Sequence, residues 1–220
     1  MKLVVTSKSI RHLLWWAQRV LFTGAVLALG YCGFILVDTW IFQNRSSREF
    51  ESRLHDQRAA YTGPPSVGSA TSPEVEAVAP DGLIGRIEIP RIGLSAVVFQ
   101  GIGKDTLRLA VGHIPGTALP GQLGNAGLAG HRDTFFRPLR MILQNDLITV
   151  TTLRGEYRYR VVSTRVVGPA EVSVLGPAEN ERLTLVTCHP FNFVGAAPNR
   201  FVVFAERDRG PTGAPLADTR

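Results

Sequence analysis

The stretch that decides the fold is Leu183-Thr184-Leu185-Val186-Thr187-Cys188, followed by His189-Pro190. Its alternation of β-branched and aliphatic residues predicts a β-strand. Proline has no N–H with which to join a sheet ladder, so the strand is expected to end at Pro190. The thiol of Cys188 is therefore held at the end of a rigid element. Such a cysteine, with a histidine and an arginine elsewhere in the chain, is typical of a nucleophilic thiol enzyme.

Strand patterns recur through most of the C-terminal half of the chain. Residues 105–109 and 135–143 favour short helices, and the remaining signals predict strands separated by Gly and Pro turns. Short strands in this arrangement favour a barrel or a sandwich, and closure into a barrel removes the free edges. The predicted strands are Leu83–Ile89, Ala96–Phe99, Gly127–Ala129, Leu147–Leu153, Glu156–Val167, Leu183–Thr187 and Phe201–Ala205.

An uncharged apolar run near the N-terminus, Val20–Val37, predicts a membrane anchor. At about 1.5 Å per residue, it is just long enough to cross a bilayer core of roughly 30 Å. Trp15, Trp16 and Trp40 flank it, as aromatic residues do at membrane interfaces. No small-residue cleavage site follows, so we interpret residues 20–42 as an uncleaved signal anchor.

The rest of the chain divides by composition. Residues 1–19 form a short tail, and residues 43–80 combine a charged stalk with a linker rich in Pro, Gly and Ser. Residues 81–207 are long enough for one domain with its own core, and residues 208–220 are expected to be a frayed tail.

Charge and cysteine usage narrow the function. The 220-residue chain has a formal net charge of +6, spread along the sequence, and no nucleic-acid-binding motif. This predicts a solvated basic surface rather than a nucleic-acid site. Cys32 lies within the apolar run, so a disulfide to Cys188 is not expected. An unpaired thiol outside the cytosol is exposed to oxidation, which makes a purely structural role for Cys188 less attractive.

Two further motifs contain residue types that could assist a thiol. His131, in Ala129-Gly130-His131-Arg132-Asp133, could protonate a leaving amine and later accept a proton. Arg200 opens the last predicted strand and could stabilise an oxyanion if that strand neighbours Cys188. Each residue also has a simpler interpretation, a structural histidine and an ion-paired surface arginine. Asp133 could orient His131 only if their strand continues that far.

Together, these motifs and their order resemble the sortase family, and class D sortases in particular. The resemblance spans about residues 83–206. The stretches that carry it are Leu185-Val186-Thr187-Cys188, Gly112-His113-Ile114-Pro115-Gly116-Thr117, Ala129-Gly130-His131-Arg132-Asp133-Thr134-Phe135-Phe136 and Ala197-Pro198-Asn199-Arg200-Phe201.

The resemblance implies a closed β-barrel of about eight strands and a cysteine transpeptidase. It implies Cys188 as the nucleophile, His131 as the general acid and base, and Arg200 as the stabiliser of the oxyanion or substrate. The donor would be an LPxT-type sorting signal of a surface protein, cleaved after Thr. The acceptor would be an amine from a cell-wall precursor or a pilin lysine. It also favours a cytoplasmic N-terminus and an extracytoplasmic catalytic domain, which the near-equal basic flanks of the anchor do not decide.

Thr187, Asn199 and His189 are the candidate substrate-binding neighbours. Class D-like sortases often carry Tyr where this chain has His189, and strand alternation predicts that this ring points away from the pocket that Cys188 faces. His113 is interpreted as a structural residue.

No cofactor is predicted. The His, Asp and Cys spacings match no zinc signature, and nothing in the sequence indicates a calcium site, although Glu171, Glu179 and Glu181 are possible ligand types. Two rival functions stay open at this point. One is another envelope thiol enzyme, such as an L,D-transpeptidase-like enzyme that shares the order of His before Cys. The other is a non-catalytic anchored β-domain.

Overall fold

The computed structural model describes residues 7–61 and 78–209. Eight strands and two α-helices make up the regular structure of these residues, with short 3-10 helices at Pro90–Ile92, Arg137–Met141 and Val172–Leu175. In chain order the elements are α1 (Ser7–Tyr61), β1 (Leu83–Ile89), β2 (Leu94–Gln100), α2 (Lys104–Leu109), β3 (Val111–His113), β4 (Gly124–Ala129), β5 (Leu147–Thr152), β6 (Gly155–Val167), β7 (Glu181–His189) and β8 (Asn199–Arg207).

The eight strands close into a barrel in the order β1-β2-β3-β4-β7-β8-β6-β5, with β5 pairing back onto β1. The β2–β3 and β4–β7 pairs are parallel, and the other pairs are antiparallel. The predicted mainly β, closed architecture is confirmed. Strand β7, which carries Cys188, lies between β4 and β8, so both neighbours can bring side chains to its end.

The strand bounds agree best where the hydrophobic pattern is strong. Strand β1 has the predicted bounds, and β7 ends at His189, next to Pro190 as expected. Strand β3 was not predicted, because it has three residues with a glycine at its centre and gives no alternating pattern. Strands β4 and β7 begin earlier than predicted, at Gly124 and Glu181. Their first residues lack a hydrophobic pattern but pair with each other in the parallel ladder.

Alternating residues of the strands fill the barrel with aliphatic side chains. Leu183 and Leu185 of β7 and Ile87 of β1 are fully buried there. Tyr159 is 1% exposed, and its hydroxyl accepts a hydrogen bond from the N–H of Gly121 at 2.8 Å. Burial raises the pKa of Tyr159 to about 12, since the phenolate would lose its hydration. The interior is therefore a packed core, and chemistry has to take place at the strand ends and loops.

Helix α1 is continuous from Ser7 to Tyr61, and the chain divides into two compact units after Phe42. In the first unit, the large apolar side chains from Leu14 to Ile41 whose exposure the structure describes are exposed. Among the described residues, Leu14–Asp56 is the one stretch long and apolar enough to cross a bilayer, with a most apolar window of mean hydropathy 2.3. This helix contains the predicted anchor, whose insertion and orientation remain predictions.

The residues expected to form a stalk continue α1 and pack against the barrel. Gln43 accepts a hydrogen bond from the N–H of Val97 in β2 at 3.1 Å, and Phe50 is fully buried. Arg53 binds both carboxylate oxygens of Asp81, at 3.3 and 3.1 Å. These helix positions repeat with the spacing of one helical face, so residues 43–61 belong to the folded barrel unit. The predicted linker lies mostly in residues 62–77, outside the described part of the chain.

Candidate active site

The candidate site is built around the end of β7. Leu183 and Leu185 point into the core, and alternation puts Thr184 and Cys188 on the opposite face of the strand. Cys188 is partly exposed, whereas Thr187 beside it is 2% exposed. The thiol is therefore accessible, and it is held by a strand that is paired on both sides.

On one side of Cys188, the parallel β4–β7 ladder leads into the turn that carries His131. The ladder pairs Ala129 with Val186, and it is prolonged by a hydrogen bond from Gly130 N to Val186 O at 3.2 Å. His131 follows Ala129 by two residues and Cys188 follows Val186 by two residues, so both come just beyond the last pair of this ladder. The hydroxyl of Thr187 donates to Gly130 O at 2.8 Å, so the turn before His131 is fixed to β7.

Close packing explains the glycine before His131. A Cβ at Gly130 would lie 2.9 Å from the ring of Phe136, which is fully buried. The chain turns directly after Gly130, with His131 O accepting from the N–H of Thr134 at 3.3 Å and of Phe136 at 3.1 Å. Phe136 thus anchors the turn in the core and leaves the side chain of His131 exposed.

On the other side of Cys188, the antiparallel β7–β8 ladder pairs it directly with Arg200. Side chains of directly opposed residues lie on the same face of an antiparallel pair. The Nη1 of Arg200 donates to Ala197 O at 3.2 Å and to Asn199 O at 2.9 Å. The guanidinium is thereby held at the end of the loop that enters β8, on the face of the β7–β8 pair that Cys188 shares.

The sequence-predicted substrate neighbours occupy different surroundings. Thr187 is buried, and its hydroxyl is used in joining β7 to the turn before His131. Asn199 is partly exposed and pairs with His189 in the ladder. The structure thus shows a strand-joining role for Thr187, and substrate contacts of these residues remain predictions.

His189 lies on the opposite face of β7 from Cys188, as the alternation predicts. Its ring stacks on Phe201, with centroids 6.2 Å apart, and meets Phe191 edge-on at 6.0 Å. Phe191 and Phe201 pack against the core. The Nδ1 atom of His189 is buried and has no hydrogen-bond partner among the described residues. His189 therefore supports the aromatic cluster below the thiol from the inner face of the strand.

Arg132 is a residue of the site that sequence reasoning missed. Its side chain is 7% exposed, although it directly follows the exposed His131. It donates to three backbone carbonyls of the loop between β7 and β8, those of Pro190, Phe193 and Gly195. The sequence gives no local sign of this, because an arginine is usually exposed unless distant groups pair with it.

Asp133 does not face His131 along a continued strand, because β4 ends at Ala129. Its carboxylate lies 3.3 Å from Nε of Arg132 and 3.9 Å from Nη1 of Arg137. The conditional prediction that Asp133 orients His131 required the strand to continue, and the structure replaces the strand with a turn. Asp133 is mostly exposed and interacts with the two arginines that flank it.

Two of the three acidic residues considered as calcium ligands, Glu171 and Glu181, are engaged with arginines. Glu171 lies 3.2 Å from Arg165, and Glu181 lies 3.0 Å from Arg207 and 3.1 Å from Arg209. Within residues 7–61 and 78–209, no group of three or more His, Cys, Asp or Glu side chains is arranged to hold a metal ion.

A cavity of about 340 Å³ lies on the outer surface of the barrel, away from the thiol. Ser163 and Arg165 of β6, Arg182 of β7 and Phe204 of β8 contribute to its lining, and Cys188, His131 and Arg200 do not. The candidate site is therefore a surface at the strand ends rather than this cavity.

The end of a barrel strand thus carries a partly exposed cysteine, with an arginine paired to it on one neighbouring strand and a histidine in the turn that follows the other, which is a set of residue types found in nucleophilic thiol enzymes. Residues 87–208 match the family model described as the sortase domain. The chain is 30% identical over 189 residues to sortase D of Bacillus subtilis strain 168. This alignment covers 86% of this chain and 95% of that protein. The chain belongs to the sortase family of cysteine transpeptidases.

Solved structures agree with the barrel. A sortase D5 transpeptidase of Clostridium perfringens superposes with a TM-score of 0.58 at 24% identity, covering 76% of this chain and 98% of that one. Sortase A of Listeria monocytogenes gives a TM-score of 0.54 at 28% identity, covering 59% and 89%. The sequence-based family resemblance is confirmed, and family membership sets aside the L,D-transpeptidase-like enzyme and the non-catalytic domain.

Proposed function

We propose that this chain is a membrane-anchored sortase that cleaves an LPxT-type sorting signal after Thr and joins the new acyl group to an amine. The observation that carries the proposal is the strand register at the site. It pairs Cys188 directly with Arg200 on β8, and the turn that carries His131 begins where the β4–β7 ladder ends, two residues before Cys188. These are the three side-chain types that an acyl transfer through a thiol needs.

In the first half-reaction, the Cys188 thiolate attacks the carbonyl carbon of the Thr in the sorting signal. The negative charge that develops on the carbonyl oxygen is stabilised by the Arg200 guanidinium beside it. As the bond from this carbon to the following nitrogen breaks, the departing amine takes a proton from His131. The product is a thioester between Cys188 and the Thr carbonyl.

In the second half-reaction, an amine attacks the thioester carbonyl and gives a proton to His131. The C–S bond breaks, and the Cys188 thiolate leaves, which restores the starting protonation of the pair. A cell-wall precursor or a pilin lysine has the required amine, and water in its place would release the free acid. The exposure of His131 supports both steps, because either amine can reach its ring from solvent.

The anchor gives this chemistry its location. Helix α1 contains the apolar Val20–Val37 run, and its exposed apolar side chains fit a lipid environment. We place residues 1–19 in the cytoplasm and the barrel outside it. In that orientation, the enzyme meets surface proteins that carry a sorting signal and the amines of the envelope. The expected result is attachment of those proteins to the cell surface.

The test uses the full chain in detergent micelles with a library of LPxT-containing peptides, with and without an added amine. Mass spectrometry should detect cleavage after Thr and, with the amine, a peptide–amine conjugate. Cys188→Ala should abolish both products, whereas Cys32→Ala, which alters the other cysteine, should leave both unchanged. Conjugation that persists in Cys188→Ala would exclude the proposal.

The acceptor is tested separately, by competing a lysine-containing peptide, a peptidoglycan stem peptide and water in the same reaction. The proposal expects conjugates with an amine to exceed the hydrolysis product. Hydrolysis at the same rate whatever amine is supplied would identify a peptidase rather than a transpeptidase.

A further inference from the structure

The loop of residues 190–198 connects the strand of Cys188 to the strand of Arg200. Its geometry therefore affects how β7 and β8 present these two side chains. Inside the loop, Phe193 N donates to Pro190 O at 3.3 Å. At its C-terminal end, Ala197 O accepts from Nη1 of Arg200 at 3.2 Å. The position of Arg200 is thus coupled to the conformation of this loop.

Arg132 holds the first part of the same loop from the β4 side. Its Nη1 donates to Pro190 O at 2.9 Å, and its Nη2 donates to Phe193 O at 2.5 Å and Gly195 O at 3.1 Å. The guanidinium carbon also lies 5.9 Å from the ring centroid of Phe193. One side chain from the His131 turn therefore binds three points along the loop.

Because Arg132 is buried, its charged guanidinium needs these hydrogen bonds, and they in turn need a guanidinium. A buried cation is costly unless it is paired and hydrogen-bonded, and the Arg132 side chain is 7% exposed. The planar guanidinium directs several N–H groups along fixed directions, which suits carbonyls spread along a loop. An ammonium group on a lysine lacks this fork, so it cannot reproduce the three bonds from one position.

We propose that Arg132 is a positioning residue for transpeptidation, which locks the 190–198 loop to the His131 turn. Because Arg132 is adjacent to His131 and the loop ends beside Arg200, this lock fixes both groups relative to Cys188. The proposal rests on the proposed function for the roles of those three residues. The contacts of Arg132 itself do not depend on it.

The test compares Arg132→Lys and Arg132→Gln with Arg137→Gln in the full chain. Arg137 is a matched control, because it lies in the same segment, is half-exposed and approaches Asp133 only to 3.9 Å. A misplaced catalytic group commonly costs on the order of 10²-fold in rate. Both Arg132 variants should lose roughly 10- to 100-fold in kcat/KM, and Arg137→Gln should match the parent.

Two readouts do not need the peptide reaction. In a Cys32→Ala background, the pH profile of Cys188 alkylation should change in the Arg132 variants, because the groups around the thiol are displaced. Chymotrypsin should cut at Phe191 or Phe193 faster in these variants, because the loop is released. A third readout does use the peptide reaction. Guanidinium ion, added below denaturing concentration, should partly restore the kcat/KM of an Arg132→Ala variant but not that of a His131→Ala variant.

A merely structural Arg132 would give a different result. Its variants would melt at a lower temperature, but the folded fraction, counted by Cys188 labelling, would keep the parental kcat, KM and alkylation profile. That result, or unchanged chymotrypsin cutting in both Arg132 variants, would overturn the proposal. If the parent transfers no peptide, the proposed function fails, while the alkylation and cutting results still decide the role of Arg132.

Discussion

Two turns of this barrel carry a histidine, and they differ in what surrounds the ring. In residues 113–118, after β3, the ring of His113 is 2% exposed. Its Nδ1 lies 2.9 Å from Oε1 of Gln100, and its Nε2 lies 2.9 Å from Ala118 O and 3.1 Å from Oγ1 of Thr117. In residues 130–136, after β4, the main chain of His131 bonds within the turn, and its side chain is exposed.

This difference separates a structural imidazole from one suited to proton transfer. Burial lowers the pKa of His113, because the charged ring would lose its hydration, and the bond to Ala118 O only partly opposes this. Any proton exchange at His113 would break buried hydrogen bonds. The side chain of His131 is exposed, and its turn begins two residues before the level of Cys188 in the β4–β7 register. The comparison favours a structural role for the 113–118 turn and supports the catalytic role proposed for His131 in the 130–136 turn.

The largest expected effect comes from His131→Ala. Removal of the general acid and base should lower kcat for transpeptidation by about 10²- to 10⁴-fold. The melting temperature should stay near that of the parent, because an exposed side chain contributes little to stability. Steady-state kinetics and calorimetry on one preparation measure both quantities. A variant that melts much earlier with near-parental kcat would reverse the assignment of the two turns.

His113→Ala should produce the opposite pattern. The variant removes a buried ring and leaves Gln100, Thr117 and Ala118 without their hydrogen-bond partner, which should cost about 2–3 kcal/mol of unfolding free energy. For a chain of this size, the melting temperature should fall by about 5–10 °C. The kcat of the molecules that remain folded should change far less than in His131→Ala. A stable His113→Ala enzyme without activity would contradict the comparison.

Thr117→Val tests the same turn with a smaller change. The hydroxyl of Thr117 donates to Ile114 O at 2.7 Å and accepts from Gly127 N at 3.1 Å. An isosteric valine removes these bonds, so denaturant unfolding should report a loss of about 1–2 kcal/mol. Thr164→Val, on an exposed position of β6, is the matched control and should be within about 0.5 kcal/mol of the parent.

The smallest effect is a pH dependence of stability. Because the pKa of His113 is lower in the folded state, the unfolded chain binds a proton first as the pH falls. The parent should therefore lose stability from about pH 6.5 down to the folded pKa, with a slope from this group of at most about 1.4 kcal/mol per pH unit. The contribution of His113 should disappear in His113→Gln and persist in His131→Gln. If the free energy of unfolding depended on pH equally in the parent, His113→Gln and His131→Gln, a contribution from His113 would be ruled out.

The hydrophobic pattern of the sequence predicts much of the barrel. The alternating runs of β1 and β7 and the stop at Pro190 are present in the structure, and the closed architecture is confirmed. The short strand β3 was missed, because it is held by register with β2 and β4 and has too few residues for a pattern. Long-range pairing decides this part of the fold.

The residues of the candidate site also fall into those that the sequence indicates and those that long-range packing decides. Cys188, His131 and Arg200 are visible in the sequence through their residue types and motifs, and the strand order puts β7 between β8, which carries Arg200, and β4, which leads to His131. Arg132 is not visible, because its bonds join it to a loop about sixty residues further along the chain. The packing of Gln43 and Phe50 on the barrel is equally long-range, so composition indicated only a charged stalk.

The measurement that tests the account most directly is the mass of the acyl-enzyme. The full chain would be mixed with excess LPxT peptide without an amine, quenched in acid and digested with trypsin. We predict that the peptide, cut after Thr, is attached to the fragment Leu183–Arg200, and that hydroxylamine releases it as a thioester should. Peptide cleavage with no adduct, or an adduct on Cys32, would contradict the assignment of Cys188 as the nucleophile.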